Sequence, residues 1–183
     1  MFLFRQTFAT PIGDMIGVAT ADALLCLDFA DRFLACDVGT RLEHDFETAC
    51  IQNKETPLLT KTGEALQAYF RKEPPFEKKT FENNSFENNT DGFDFPRLMR
   101  GTPFQQKTWQ ALCRIPFGTT CSYTDLAQAI GMPKATRAVA NANGQNHLSI
   151  LIPCHRVIRK SGDLGGYAGG LDRKKWLLAH EAQ

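Results

Sequence analysis

The strongest constraint on how this chain can fold is a break near its middle. Between Pro74 and Pro96 a five-residue unit is written nearly twice, Phe81–Ser85 followed by Phe86–Thr90 (FENNSFENNT). Asn, Gly and Pro favour turns over periodic elements, so the stretch reads as a linker with an Asn-rich loop at 81–90. Charge changes sign across it. Residues 1–96 hold 9 Lys/Arg and 16 Asp/Glu, a balance of −7, whereas residues 97–183 hold 12 and 4, a balance of +8. The sequence therefore predicts two domains, 1–96 and 97–183, and the basic one suits a polyanion, most plainly nucleic acid. Charge scattered unevenly for solubility is the competing reading.

Composition excludes several classes. With 43% hydrophobic and 22% charged residues the chain is ordinary globular material, neither disordered nor fibrous. No apolar run approaches the ~20 residues a membrane-spanning helix needs, and MFLFRQTFATPIGDM lacks the pattern of a signal peptide. A cytoplasmic protein is expected, with Cys26, Cys36, Cys50, Cys113, Cys121 and Cys154 as reduced thiols. In that compartment the glycosylation patterns Asn83-Asn84-Ser85 and Asn88-Asn89-Thr90 carry no meaning. No two cysteines stand at zinc-site spacing, so no metal is expected.

The first domain reads as α/β. Phe2–Phe8 alternates as a strand, Met15–Thr20 and Leu24–Phe29 form a hairpin about Ala21–Asp22, and Leu58–Phe70 has helical spacing. The second reads as mostly helical. Thr102, Pro103 and Gln105 make a capping box before a helix that buries Phe104, Thr108, Trp109 and Leu112 and stops near Ile115–Gly118. Ser122 and Asp125 open a second helix with Leu126, Ala127 and Ile130 on its apolar face. Gly131 ends it and Pro133 starts a third, Lys134–Asn143, running to Gly144. The pair is a helix-turn-helix candidate, its second member Ala-rich and carrying Lys134 and Arg137. A purely structural two-helix corner has the same appearance.

The chemistry concentrates at Ser149–Lys160. An apolar run enters a core, Pro153 halts pairing, and Cys154 follows with His155, Arg156, Arg159 and Lys160 around it. Positive surroundings favour the thiolate, which is the nucleophile. A carboxylate, Glu181, follows in the last helix and could orient the imidazole in a Cys–His–Glu relay. The other five cysteines are read as structural. Gly165-Gly166-Tyr167-Ala168-Gly169-Gly170 lacks the spacing of a phosphate-cradling loop, so no nucleotide cofactor is expected. It is either a flexible surface turn or a close backbone approach to a planar ligand, aided by the Tyr167 hydroxyl.

These motifs resemble the O6-alkylguanine-DNA alkyltransferase family. The resemblance rests on PCHRV at Pro153–Val157 with the preceding ILI, the Gly-Tyr-Ala-Gly-Gly run, the closing Trp176–Glu181, and FQQKTW, IPFG and KATRAVANANGQN upstream. It covers about Pro103 to Glu181 and is weak before Gly101. It implies a single-turnover transfer of an alkyl group from guanine O6, or thymine O4, to Cys154, with no cofactor. His155 would take the thiol proton through a water, Glu181 would polarise His155, and Asn146 would be a hinge between the recognition helix and the active site. Arg137 would fill the place of the flipped nucleotide, and Tyr123 would crowd its phosphate and donate to the ring. The Ala168 N–H would face O6, and the Cys154 and Val157 carbonyls would read the exocyclic amine. Lys174 would lie near the site. The implied fold is a ribonuclease-H-like α/β domain with a small antiparallel sheet, then a mostly α, winged-helix-type domain docking in the DNA minor groove. The implied protein is a cytoplasmic monomer, associated with the nucleoid in a bacterium.

Three positions depart from the pattern: Ala168 where some members have serine, Ser149 where others have proline or alanine, and Asp172, expected to weaken packing or the positive field. The zinc ligands of some relatives have no counterpart here. A binding-only relative lacks the cysteine, a transcription regulator leaves PCHRV without a role, and a thiol hydrolase needs an oxyanion-hole motif that the sequence lacks.

Overall fold

The computed structural model describes residues 2–47, 50–73 and 93–182; the repeat at 81–90 lies outside them. The chain divides into two compact units, Met1–Glu73 with Phe93–Met99, and Arg100–Gln183.

In the first unit β1 (Leu3–Phe8), β2 (Met15–Ala19) and β3 (Leu24–Phe29) form an antiparallel meander. The hairpin turn at Ala21–Asp22 is held by the Thr20 hydroxyl, which accepts from the Asp22 and Ala23 amides at 3.2 and 3.0 Å. Two short helices then follow, α1 (Ala30–Ala35) and α2 (Val38–Asp45). They carry the chain across one sheet face to β4 (Ile51–Asn53), which pairs parallel to β1 with Leu3 opposite Ile51. The sheet, ordered β3-β2-β1-β4, is therefore mixed and not purely antiparallel as expected. The reason is this crossover, since a helical connection returns a strand in the parallel sense. Leu3, Ile16, Val18, Leu25 and Cys26 pack with Phe33, Val38 and Leu42 beneath it. Leu25 and Cys26 join the same cluster because the β2–β3 register skips Leu25, the signature of a bulge.

On the other face α3 (Pro57–Arg71) is capped by Thr56, whose hydroxyl accepts from the Leu59 amide at 3.3 Å. It approaches closely at two glycines: a Cβ on Gly17 of β2 would stand 3.2 Å from Leu59 Cδ2 of α3, and one on Gly63 of α3 would stand 3.0 Å from the Phe8 ring of β1. The unit extends past the sequence-based boundary at 96/97, because the Leu24 amide donates to the Pro96 carbonyl and the Leu98 amide to the Leu24 carbonyl, both at 2.9 Å.

In the second unit α4 (Pro103–Leu112) and α5 (Tyr123–Ala129) both begin with reciprocal capping boxes, Thr102 with Gln105 and Ser122 with Asp125. Gly131 ends α5 at φ 74°, a backbone region glycine enters without strain. The next helix, α6, spans Thr136–Gly144 and not Pro133 onward. The Ala135 amide bonds the Met132 carbonyl at 2.8 Å, closing a turn in which Pro133 supplies the fixed φ of its second position. Lys134 thus stands on that turn, exposed and outside the helix. The Trp109 indole donates to the Ala142 carbonyl at 2.8 Å, joining α4 to α6. β5 (Cys121–Ser122) pairs parallel with β6 (Val157–Ile158), and α7 (Leu171–Ala182) closes the chain. Among the described residues no helix is long and apolar enough to cross a membrane.

Candidate active site

Cys154 opens a 3₁₀ turn, Cys154–Arg156, at the end of the apolar segment that follows α6. Ile150 in that segment has φ 72° and is buried. A β-branched residue is strained there by about 1–3 kcal/mol and stays only because its surroundings over-determine it. The Ile152 amide bonded to the Leu148 carbonyl at 2.8 Å is part of that constraint. Asn146 braces the segment from within. Its Nδ2 donates to the Ile152 carbonyl at 2.9 Å and to Cys154 Sγ at 3.1 Å, while its Oδ1 accepts from the Leu148 amide at 2.9 Å. An amide donor aimed at sulfur stabilises negative charge on it.

His155 is wholly buried, and its Nε2 meets Glu181 Oε1 at 2.8 Å. A carboxylate accepts, so Nε2 carries the proton and Nδ1 the lone pair. Nδ1 has no hydrogen-bond partner among the described residues. Burial lowers the pKa of His155; Glu181 opposes that, and Arg156 and Lys174 add to it. For Glu181, burial works against ionisation, yet His155 and Arg156 together hold its carboxyl well below the usual range. Arg156 forks onto both carboxylate oxygens, Nε to Oε2 at 2.7 Å and Nη2 to Oε1 at 2.9 Å. Its Nη1 donates to the Ile115 carbonyl at 2.7 Å, and the Gly118 amide donates to Glu181 at 3.2 Å. Sequence reasoning read Arg156 only as nearby positive charge and missed this clamp; its partner lies 25 residues downstream, beyond any local pattern.

The remaining candidates fall into a second group. A cavity of about 420 Å³ is walled by Tyr123, Arg137, Asn143, Arg159, Tyr167 and Ala168 among others, a volume ordinary for a small-molecule site. Cys154 does not itself line it. The link is Asn143, a wall residue whose Nδ2 donates to the Cys154 carbonyl at 3.3 Å; sequence reasoning did not single it out. The Tyr123 hydroxyl donates to the Gly166 carbonyl at 3.3 Å. Burial raises its pKa, Cys154 and Cys121 reinforce that, and Arg159 opposes it. The Tyr167 ring stands edge-on to His155 at 6.4 Å, tying the two groups together.

Lys174, from α7, is buried and donates to three backbone carbonyls: Val157 at 2.6 Å, Gly166 at 3.1 Å, and Leu164. Burial lowers its pKa to about 8, with Cys154 acting the other way. It pins the Val157 carbonyl and the glycine-rich loop together. Asp172 is exposed in the first turn of α7, where a carboxylate suits the helix N-terminus, so it does not disturb packing. Ser149 is buried. Lys134 is not brought to the cavity. Burial, with the charge of Asp125 adding to it, pushes the Cys121 thiol up to about 11. Among the described residues no cluster of three or more His, Cys, Asp or Glu is placed to hold a metal.

The site is built around a buried cysteine braced by an amide donor, with a buried His–Glu pair next to it in the chain. Residues 103–183 match the family described as "6-O-methylguanine DNA methyltransferase, DNA binding domain". The constitutive methylated-DNA–protein-cysteine methyltransferase of Bacillus subtilis is 41% identical over 175 residues, 96% of this chain and 92% of that one. The Salmonella typhimurium enzyme of the same name is 58% identical over 81 residues, 44% of this chain and 47% of that one. Among solved structures, Mycobacterium tuberculosis OGT in complex with DNA aligns with TM-score 0.74 and 33% identity over 98% of this chain and 92% of that one. The chain belongs to the methylated-DNA–protein-cysteine methyltransferase family. It shares with the structures of that family a small sheet with helices followed by a helical unit.

Proposed function

We propose that this protein repairs alkylated DNA by direct reversal, taking the alkyl group of O6-alkylguanine, or of O4-alkylthymine, onto Cys154. The observation that carries this is the buried array in which Asn146 reaches the sulfur at 3.1 Å and Glu181 holds the adjacent imidazole at 2.8 Å. The sulfur attacks the alkyl carbon, the S–C bond forms as C–O6 breaks, and the guanine leaves with its carbonyl restored. The thiol proton passes through a water to His155 Nδ1, and the departing base takes a proton from the Tyr123 hydroxyl, which is restored as the imidazolium gives up its proton through solvent. A thioether has no leaving group worth the name, so each molecule acts once.

A base inside a duplex is unreachable, so the nucleotide is turned out at a cost of a few kcal/mol. The reading supported by the family and by the +8 balance of residues 97–183 gives each half a task. The second unit, as a winged-helix-type domain, lays α6 in the minor groove, where small side chains permit close approach. Arg137 fills the vacated stack, Lys134 contacts phosphate, and the base enters the cavity against Tyr167, the Ala168 N–H and the Val157 carbonyl. The first unit, ribonuclease-H-like, completes a monomer working in the cytoplasm, on the nucleoid in a bacterium. The test is stoichiometry. With excess duplex carrying one O6-methylguanine, methyl uptake followed by intact-protein mass should stop at one per chain; continued turnover, or lesion binding without gain of mass, overturns the proposal.

A further inference from the structure

The buried ion cluster behind Cys154 is larger than a Cys–His–Glu relay requires, and its additional member is Arg156. A lone glutamate beside a buried imidazole would hold a proton on it, because the pair is then neutral overall, and an imidazolium has no lone pair with which to take another. Here the glutamate is already neutralised. Arg156 binds both its oxygens, is anchored in turn by the Ile115 carbonyl, and lies with its guanidinium 5.7 Å from the centre of the Phe117 ring. Planar, bidentate and permanently charged, an arginine fills this position as no other side chain can.

We propose that Arg156 is a positioning residue: by clamping and neutralising Glu181 it keeps His155 a neutral imidazole with Nδ1 ready to accept a proton. The inference rests on the repair reading only for its kinetic readout. Among the described residues, the charged and titratable groups facing His155 are Glu181 and Lys174 from α7, Arg156 and Cys154 on its own turn, and Tyr167 from the glycine-rich loop. Removing the positive charge of Arg156 stabilises the imidazolium. The acid limb of the rate profile then moves up, whether the shared proton finally sits on sulfur or nitrogen, because both forms hold the same number of protons.

The experiment compares wild type, R156M and R156K as full chains. Methyl transfer from duplex O6-methylguanine is timed by intact mass from pH 5 to 9, with the ¹⁵N imidazole titration of His155 followed by NMR, assigned with H155Q. In R156M the acid limb and the His155 titration should both move up by about one pH unit, slowing transfer about tenfold on the acid side, and converge on wild type in alkali. R156K should recover most of the shift. A folded R156M with both midpoints unmoved, or a loss equal at every pH, overturns the proposal and leaves Arg156 purely structural. Should R156M not fold, R156Q removes the charge while keeping a hydrogen bond and carries the same expectation. A wild type that transfers no methyl sinks the repair reading alone, since the imidazole titration still decides the role of Arg156.

Discussion

Cys26 of the first unit and Cys154 of the second, both buried, show what distinguishes the halves of this molecule. Cys26 lies in β3, packed between Val18 and Leu25, and burial followed by the charge of Asp28 raises its pKa, with Arg32 only partly opposing. Cys154 is as deeply buried but receives an amide hydrogen from Asn146 and sits beside His155, Arg156 and Lys174. Burial alone makes a thiol inert; burial against donors and cations makes it a nucleophile. The same contrast extends to whole units. Besides cysteine and tyrosine, the fully buried ionisable group of the first unit, among the described residues, is Asp28, whereas the second buries His155, Arg156, Lys174 and Glu181. Each buried charge costs several kcal/mol before its partners are counted. Stability is spent where the chemistry is.

The sharpest break of this comparison is a pair of substitutions. C154A should abolish methyl uptake completely, while C26A should leave one methyl per chain, both read by intact mass. Next in size is E181Q, expected to slow transfer about 100-fold through loss of the oriented base, with duplex affinity in a gel-shift assay nearly unchanged; an unchanged rate would remove Glu181 from the relay. R137A should reduce duplex repair by about 10- to 100-fold, the equivalent of the few kcal/mol that flipping costs. Reaction with free O6-methylguanine should be spared, and equal losses on both would contradict the assignment.

Stability against pH separates the units more gently. His155 has a lowered folded pKa, so below its ordinary 6.5 the unfolded chain binds the proton first and stability falls. Glu181, also lowered from an ordinary 4.5, adds its own loss only in stronger acid. Thermal melts from pH 7 to 5 should therefore fall in wild type and flatten in H155Q. Smallest is S122A, which removes the α5 cap at a cost of about 1 kcal/mol and should lower the melting temperature without altering the pH slope.

What the sequence made legible follows from where the signals are local. The caps at Thr102 and Ser122 are written within four residues, and both helices begin there. By contrast α1 and α2 left no trace, since Phe29 and Asp37 precede them with no capping side chain and Asp37 takes φ 50°. Three-residue β4 has its partner β1 some 48 positions away, and no periodicity can announce such a strand. At the site, Cys154, His155 and Glu181 are readable by residue type. The Arg156 fork, the Asn143 link to the Cys154 carbonyl and the triple grip of Lys174 depend on folding and were not.

The most direct test of the account is the location of the adduct. After incubation with one equivalent of duplex O6-methylguanine, peptide mapping should find a single methyl group on Cys154, with the peptides bearing Cys26, Cys36, Cys50, Cys113 and Cys121 unchanged. Methyl spread over several cysteines, or placed on one of the other five, would contradict the claim that the donor-and-cation surroundings of Cys154 make it the acceptor.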